Sequence, residues 1–318
     1  MAPTLDLEAS YGLIREAACA LETFRDAVIV RGPDARSWLQ GQVSQDLAPL
    51  GVGDSAETLV LSPQGKLEAY CRVSFLDDDV VVLDTETDYG EALLQRLKRF
   101  RLRVKAELDT GTLGCLSVRG PASAAVLESS GLALGLSGGG KSFSDEWKVA
   151  VPVDWPGYAG FDVLFSGALE VRLAGVSFGD PAAFEVARIE AGLPAMGREL
   201  TAKTIPQEAG SLSEHAVSFT KGCYTGQELV ARLDARGGNV AWRLRGVVLE
   251  PSAKTEIGAT LLSVGREVGR ITSVAWSPGF RSQVALAYVR RDVTPPAQVT
   301  VAPEQLRAEI REIPLDFR

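Results

Sequence analysis

The sequence lacks features that whole classes of function require. It has a single histidine, His215, which removes most metal-hydrolase arrangements and leaves at most one Ser-His or Cys-His pairing. No run approaches the ~18 consecutive apolar residues of a membrane span. The start of the chain carries acidic residues where a secretory signal would carry a basic one. We therefore expect a cytoplasmic protein whose chemistry depends on carboxylates, Lys or Arg, a thiol or a bound cofactor, with His215 as a loop residue.

The sequence also has few cysteines and a net negative charge. The four cysteines form no C-x-x-C pair and do not resemble a closed zinc or iron–sulfur ligand set, so no metal site is predicted. Cys71 and Cys115 are expected in strands and Cys19 in an N-terminal helix, where each fills the core. A net charge of −8 disfavours a large basic face for duplex nucleic acid, but it is compatible with a small basic pocket for an anionic ligand.

What the sequence does contain is an internal repeat. Segment 28–39, VIVRGPDARSWL, resembles segment 116–127, LSVRGPASAAVL, and each predicts a strand that runs through V-R-G-P into a helix. A hairpin follows each copy, with its first turn at 62–65. After that turn, one buried strand face is predicted at Leu67, Ala69, Cys71, Val73 and Phe75. Two similar α+β halves are therefore expected, and a crevice between paired halves is a usual place for a ligand.

Helix starts and a terminal barrel are indicated farther along the chain. Asp88 with Glu91 has the spacing of a capping box, and Asp180 precedes a proline that suits a first helical turn. After about Arg243 the sequence consists of short strand patterns separated by Gly and Pro turns. This pattern predicts a small β-barrel.

The most informative stretch is K-G-C-Y-T-G-Q-E, residues 221–228. Thr225 and Glu228 have capping-box spacing, so a helix is expected to start after Thr225. Cys223 would then lie near the positive end of a helix dipole and close to Lys221, and both features favour the reactive thiolate. Lys221 and Cys223 are thus predicted to form a functional thiol site. The alternative is a buried cysteine beside a well-capped helix.

This stretch resembles the signature of the YgfZ family, a branch of the glycine-cleavage T-protein (GcvT, aminomethyltransferase) superfamily. Other segments are similar in the same order: GPDARSWLQGQVSQDL, LSPQGKLEA, RIEAGLPAMGREL and GRITSVAWSP with VALAYVRR. The resemblance covers nearly the whole chain. It implies an α+β fold, a three-domain ring with two duplicated, ferredoxin-like halves and a C-terminal β-barrel.

The resemblance also implies boundaries for these parts. We expect the first half over residues 1–110 and the second half over residues 111–195. The signature loop and helix would occupy residues 196–242 and return to the first half, and the barrel would occupy residues 243–318.

Tetrahydrofolate, or a derivative of it, is the cofactor that the resemblance implies. The superfamily pattern G-Y-T-G-E-D-G-F-E-I is similar to residues 157–163, so the folate-contacting residues would include Tyr158, and the carboxylate that grips the pterin would be Asp162. A carboxylate suits a pterin edge, which offers an N–H and an amino group. The arginine of the R-L-E-A-G pattern is Arg188, which would pair with a folate carboxylate. The alternatives are a solvent-facing Asp162 and an Arg188 in an intrahelical or interdomain ion pair.

One departure from the superfamily pattern bears on activity. Transferases carry paired aspartates after the glycine of the first hairpin, and here Ala69 and Tyr70 occupy those positions, with Glu68 on the opposite strand face from Ala69. We therefore expect a tetrahydrofolate-binding accessory protein for iron–sulfur cluster assembly or repair, affecting tRNA-modifying and other iron–sulfur enzymes. Its partners would be folate and iron–sulfur client proteins, with no membrane and no direct duplex nucleic acid. The alternatives are a folate-dependent aminomethyl- or methyltransferase in which Glu68 or another carboxylate replaces the missing aspartate, and a non-catalytic scaffold with a decayed folate site.

Overall fold

A single sheet forms most of the N-terminal part of the molecule. The structure, a computed structural model, describes residues 5–138, 141–167, 173 and 175–316. Within those residues the strands of this sheet are β1 (Cys19–Arg31), β2 (Ser55–Leu61), β3 (Leu67–Asp77), β4 (Val80–Thr85), β5 (Glu107–Arg119), β6 (Gly135–Gly138), β7 (Trp147–Val153), β8 (Gly160–Ser166) and β9 (Ser177–Phe178). Their order is β2-β3-β4-β1-β5-β8-β7-β6, with β9 beside β1.

The internal repeat corresponds to two halves of this sheet. β1 and β5, the strands that lead into each V-R-G-P, pair antiparallel along their whole lengths at the centre. The glycine after each strand has a positive φ, 130° at Gly32 and 124° at Gly120. A Cβ at Gly32 would lie 2.4 Å from the carbonyl oxygen of Lys105, and one at Gly120 would lie 2.5 Å from that of Ala17. Both positions therefore require glycine, and the prediction of two similar halves is confirmed.

Helices cover the sheet and link it to the rest of the chain. They are α1 (Leu7–Glu16), α2 (Ala35–Gln40), α3 (Gly90–Arg99), α4 (Ser123–Ser129), α5 (Pro181–Glu190), α6 (Leu212–Ala216) and α7 (Gln227–Asp234). α2 and α4 follow the two V-R-G-P segments, as predicted. Asp180 caps α5 by accepting a 2.8 Å hydrogen bond from the Ala182 N–H. The predicted apolar face of β3 is buried.

Two residues lie in elements other than those predicted. Cys19 is the first residue of β1, because α1 ends at Glu16 and the following run pairs with β5. His215 lies in α6 and not in a loop. That short helix forms because Leu212 and Ala216, four residues apart, are both buried on one side.

The predicted capping box at the start of α3 is also wrong. Asp88 has a φ of 74°, and Tyr89 is the N-cap residue without a side-chain cap. The free N–H of Gly90 instead donates a 3.1 Å hydrogen bond to Asp26 on β1. A tertiary contact therefore satisfies the helix terminus that a local cap was expected to satisfy.

The C-terminal part is the predicted barrel. Its strands are β10 (Trp242–Leu249), β11 (Thr260–Ser263), β12 (Arg266–Ser277), β13 (Ser282–Arg290), β14 (Ala297–Val301) and β15 (Leu306–Arg311). They close in the order β10-β13-β12-β11-β14-β15. α5 packs against α1 on one side and against β12 and β13 on the other, so it joins the sheet to the barrel. Among the described residues, no helix combines the length and the apolar character needed to cross a membrane.

Candidate functional site

A cavity of about 530 Å³ lies between the two halves of the sheet and the segment that follows α5. This volume is in the range of small-molecule sites, about 300–1,000 Å³. The first half contributes residues of β1, β2 and β3, and the second half contributes 151–156 together with Asp162 on β8. The far side is formed by Arg188 of α5, by 193–194 and by residues of α6. The predicted crevice between the halves is therefore present.

Alternating charges form a chain on the cavity side of the sheet. Arg25 donates to Asp84, and Arg72 donates to both oxygens of Asp84 at 3.1 and 3.3 Å. Arg72 also donates to Asp162 at 3.0 Å, and Arg119 donates to the other oxygen of Asp162 at 2.8 Å. Because three cations alternate with two anions, the chain has one excess positive charge.

Asp162 lies in the cavity wall with both of its oxygens engaged. Besides its two arginine partners, it accepts a 2.7 Å hydrogen bond from the Ser117 hydroxyl. Burial acts to raise the pKa of Asp162, but Arg119 and Arg72 outweigh burial and hold that pKa well below its usual range. With 9% exposure, Asp162 is not the solvent-facing residue of the alternative interpretation. Its contact with a folate stays a prediction.

Arg188 also borders the cavity, and its donors point to protein acceptors. The guanidinium donates to both oxygens of Glu185 at 2.8 and 2.9 Å and to Glu199 at 3.2 Å. It also donates to the Leu193 carbonyl and, at 2.7 Å, to the hydroxyl of Ser273 on the barrel. The intrahelical ion pair with Glu185 is present, a second ion pair joins α5 to Glu199 in the segment after it, and the contact with the barrel is a hydrogen bond to a neutral serine. The folate contact of Arg188 stays a prediction.

Sequence reasoning missed Glu86, a half-buried carboxylate in the cavity wall. It follows directly after β4, and its Oε1 accepts a 3.0 Å hydrogen bond from the Met196 N–H. Its Oε2 receives no hydrogen bond from the residues that the structure describes. Burial raises the pKa of Glu86, and the Met196 N–H partly opposes this effect. The available signal was its position directly after a buried strand, where side chains often reach a ligand.

The two residues at the positions of the transferase aspartates, Ala69 and Tyr70, lie on opposite faces of β3. Ala69 is buried in the hydrophobic core of the first half, whereas the Tyr70 side chain is half-buried on the cavity side. Burial, followed by the nearby Glu57 carboxylate, raises the pKa of Tyr70 well above its ordinary value. Glu68 accepts a hydrogen bond from Arg96 and does not line the cavity. The cavity therefore has no carboxylate at either aligned position.

Tyr158 lies outside the cavity lining, in a buried cluster around Glu190. The hydroxyls of Tyr158 and Tyr11 both donate to one oxygen of Glu190, the latter at 3.0 Å. Ser277 of the barrel donates to the other oxygen. The cluster connects the second half, α1, α5 and the barrel. A folate contact by Tyr158 stays a prediction.

Lys221 connects the signature segment to the loop after α2. Its half-buried ammonium donates to the backbone carbonyls of Gln40, Val43 and Gln45 at 2.7, 2.9 and 2.7 Å. These three bonds use all three protons of the ammonium group. Burial lowers the pKa of Lys221 to about 8, and Asp46 partly opposes this effect. Lys221 therefore holds two loops together, with its donors directed at the backbone.

Cys223 is the exposed cysteine of the chain, and Cys19, Cys71 and Cys115 are buried. It does not line the central cavity. The prediction that Thr225 caps the following helix is wrong: Gly226, with a φ of 83°, is the N-cap residue of α7. The Thr225 N–H is used by the carbonyl of Gly41 at 3.1 Å, which fixes the loop against the first half.

Outside the central cavity and the Cys223 loop, a surface concavity and the acidic side chains in the described part of the chain provide no further candidate site. A concavity of about 770 Å³ lies at the barrel between 254–260 and 302–304, but none of the predicted site residues borders it. Among the residues that the structure describes, no three His, Cys, Asp or Glu side chains are grouped to hold a metal ion. The central cavity and the Cys223 loop are therefore the two candidate sites.

Two protein-family models match the chain. The GCVT N-terminal domain matches residues 14–134, and the glycine cleavage T-protein C-terminal barrel domain matches residues 243–316. The first match includes the central strand pair, and the second coincides with the barrel.

Relatives and a solved structure agree with these matches. An aminomethyltransferase of Thermus thermophilus is 30% identical over 302 residues, which cover 90% of this chain and 83% of the relative. A tRNA-modifying protein YgfZ of an Enterobacter species is 29% identical over 227 residues, 68% of each chain. The crystal structure of glycine cleavage system aminomethyltransferase T from Bartonella henselae has a TM-score of 0.82 at 21% identity, covering 98% of this chain and 89% of that one. At this identity the structural likeness concerns the fold alone.

Proposed function

Because the chain belongs to the glycine-cleavage T-protein superfamily as a YgfZ-type member, we propose that it is a tetrahydrofolate-binding accessory protein for iron–sulfur cluster assembly or repair. One observation carries the proposal. A cavity of ligand size lies between the halves, while Ala69 and Tyr70 occupy the positions of the transferase aspartates. Binding capacity without the transfer carboxylate describes an accessory protein better than a transferase.

The residues of the cavity fit a folate. Its wall contains two aromatic side chains, Tyr70 and Trp155, which suit a flat ring. Asp162 and Arg188, the residues to which the family resemblance assigns folate contacts, both border it. The Arg119 guanidinium stacks over the Trp155 ring, 4.4 Å from the indole centroid, and so restricts the orientation of that ring. The ring-shaped part of the ligand would therefore meet a preorganised wall.

The same wall argues against one-carbon transfer. The Tyr70 phenol remains protonated at neutral pH, because burial and Glu57 raise its pKa, so it does not replace a carboxylate. Glu68, the carboxylate next to the aligned positions, is paired with Arg96 outside the cavity lining. Neither residue offers a free carboxylate to the folate nitrogen.

The thiol would act at a separate place. Cys223 is exposed on a loop that Lys221 fixes through three carbonyls, so it is available to a macromolecule. We assign to it the contact with an iron–sulfur cluster or with the client protein that carries one. Clients would include tRNA-modifying enzymes, in keeping with the name of the YgfZ relative. The proposal places the protein in the cytoplasm, where its thiols stay reduced.

Binding and turnover are tested on the purified protein. Tetrahydrofolate is titrated while the fluorescence of Trp155 is followed, with Trp155→Phe as the control for the origin of the signal. Saturable binding without aminomethyl transfer to tetrahydrofolate is expected. Robust turnover would identify a transferase, and absence of binding would identify a scaffold with a decayed site.

The thiol assignment is tested in cells. Cys223→Ala should lower the activity of an iron–sulfur tRNA-modifying enzyme, whereas Thr220→Ala, a change at an exposed residue of the same loop, should not. Equal client activity in both variants, with both proteins folded, would remove Cys223 from the proposal.

A further inference from the structure

Two carboxylates border the central cavity near arginines, and they differ in how many acceptor positions are used. Asp162 accepts hydrogen bonds from Ser117, Arg119 and Arg72, so each of its oxygens has a protein donor. Glu86 accepts one bond, from the Met196 N–H to Oε1. Its Oε2 has no donor among the described residues. Of these two, only Glu86 therefore has an unused carboxylate oxygen, and the other carboxylates of the wall, Glu57, Asp154 and Glu214, are exposed to solvent.

The cations near Glu86 do not satisfy this oxygen. Arg25 and Arg188 are close enough to stabilise its charge. However, the Arg25 Nε donates to Asp84, and all the donor atoms of Arg188 have protein acceptors. Glu86 Oε2 is not among the buried atoms that lack a partner, so this oxygen is accessible from the cavity, and a ligand bound there can supply the donor that the protein does not.

The carboxylate of Glu86 is also held in place. Glu86 directly follows the buried strand β4, its Oε1 accepts a hydrogen bond from the segment after α5, and its backbone carbonyl accepts one from the Tyr89 N–H. A side chain fixed at both ends loses little entropy when a ligand binds.

We propose that Glu86 is the ligand-binding carboxylate of the cavity and that it accepts hydrogen bonds from a ligand edge carrying an N–H beside an amino group. A pterin has such an edge. The inference therefore rests on the proposed folate function, and it specifies which residue forms hydrogen bonds with the pterin. Asp162 then remains in the ion-pair chain and contributes to binding through the shape of the wall.

The experiment compares two ligands on three proteins. The affinities of tetrahydrofolate and of an analogue without the pterin amino group are measured for the wild type, Glu86→Gln and Glu128→Gln. Glu128 is the matched control, because it is an exposed carboxylate on α4 that does not line the cavity. Thermal unfolding reports whether each variant folds. Where Glu86→Gln does not fold, Glu86→Asp replaces it, since this change keeps the charge and withdraws it by one methylene.

The wild type should prefer tetrahydrofolate over the analogue by at least about tenfold, as a charge-assisted hydrogen bond allows. Glu86→Gln should weaken tetrahydrofolate binding by a similar factor and bind both ligands almost equally. Glu128→Gln should behave as the wild type. If the wild type binds tetrahydrofolate and Glu86→Gln keeps both affinity and preference, the Glu86 assignment is wrong and the folate function stands. If the wild type binds neither ligand, the folate function and the assignment fail together.

Discussion

Arg72 on β3 donates a 3.0 Å hydrogen bond to Asp162 on β8, although three strands, β4, β1 and β5, lie between them in the sheet. With neighbouring strands about 4.8 Å apart, a flat sheet would separate β3 and β8 by roughly 19 Å. The ion pair therefore requires a curved sheet whose two halves face each other. The curvature forms the cavity, and the pair closes its floor.

This arrangement predicts that Asp162 is needed for stability. Asp162→Asn leaves Arg72 and Arg119 buried beside a neutral side chain, so we expect the free energy of unfolding to fall by about 3–5 kcal/mol. Urea denaturation measures the change. Glu214→Gln, at the exposed rim, should stay within about 0.5 kcal/mol of the wild type. Similar stabilities of the two variants would contradict a structural role for the chain of charges.

The same residue predicts an acid dependence of stability. The folded-state pKa of Asp162 is depressed below the unfolded value of about 3.9. A depressed carboxylate contributes stability above its unfolded pKa and loses it as the pH falls through the folded pKa. The free energy of unfolding should thus decline below about pH 4, and more steeply in the wild type than in Asp162→Asn. Urea titrations at several pH values between 5 and 3 provide the comparison, and parallel declines would exclude Asp162 as a source.

The elements that the sequence predicted correctly are those with local causes. The V-R-G-P repeat located both halves because Gly32 and Gly120 each need a positive φ, which is a property of single positions. The helix caps at Asp88 and Thr225 were wrong because tertiary partners, Asp26 and Gly41, take the groups that a local cap would take. Such partners are far away in the sequence, so spacing does not reveal them.

In the candidate site, too, local sequence features were predictable and tertiary contacts were not. Asp162 and Arg188 were found through a family resemblance, and both line the cavity. Their saturation by protein partners follows from contacts across the sheet and to the barrel, which no local pattern encodes. Glu86 was missed because its importance depends on an oxygen that is left without a donor after folding.

The exposure of the cysteines predicts a thiol count. Burial raises the pKa of Cys19 and of Cys115 to about 11, so both thiols stay protonated and covered in the native protein. Cys71 is buried as well, whereas Cys223 is exposed. A chromogenic disulfide reagent should therefore titrate one thiol in the native protein and four in denaturant. Cys223→Ser should remove the native reaction, and a second fast thiol in that variant would contradict the assignment of exposure.

The three carbonyl contacts of Lys221 predict that it positions the Cys223 loop. In Lys221→Met, the carbonyls of Gln40, Val43 and Gln45 lose their shared donor, so we expect a loss of about 1.5–3 kcal/mol in the free energy of unfolding.

Lys221→Arg should not restore this stability, because a planar guanidinium presents its donors in one plane and the ammonium directs three donors at separate carbonyls. Hydrogen exchange tests the local effect, since the Thr225 N–H that donates to the Gly41 carbonyl should lose protection in both variants. Lys203→Met, at an exposed lysine, is the control and should change neither stability nor exchange. If Lys221→Met keeps the protection of Thr225, the two loops are held together without the lysine, and the exposed position of Cys223 must be set by the glycines and Tyr224 around it.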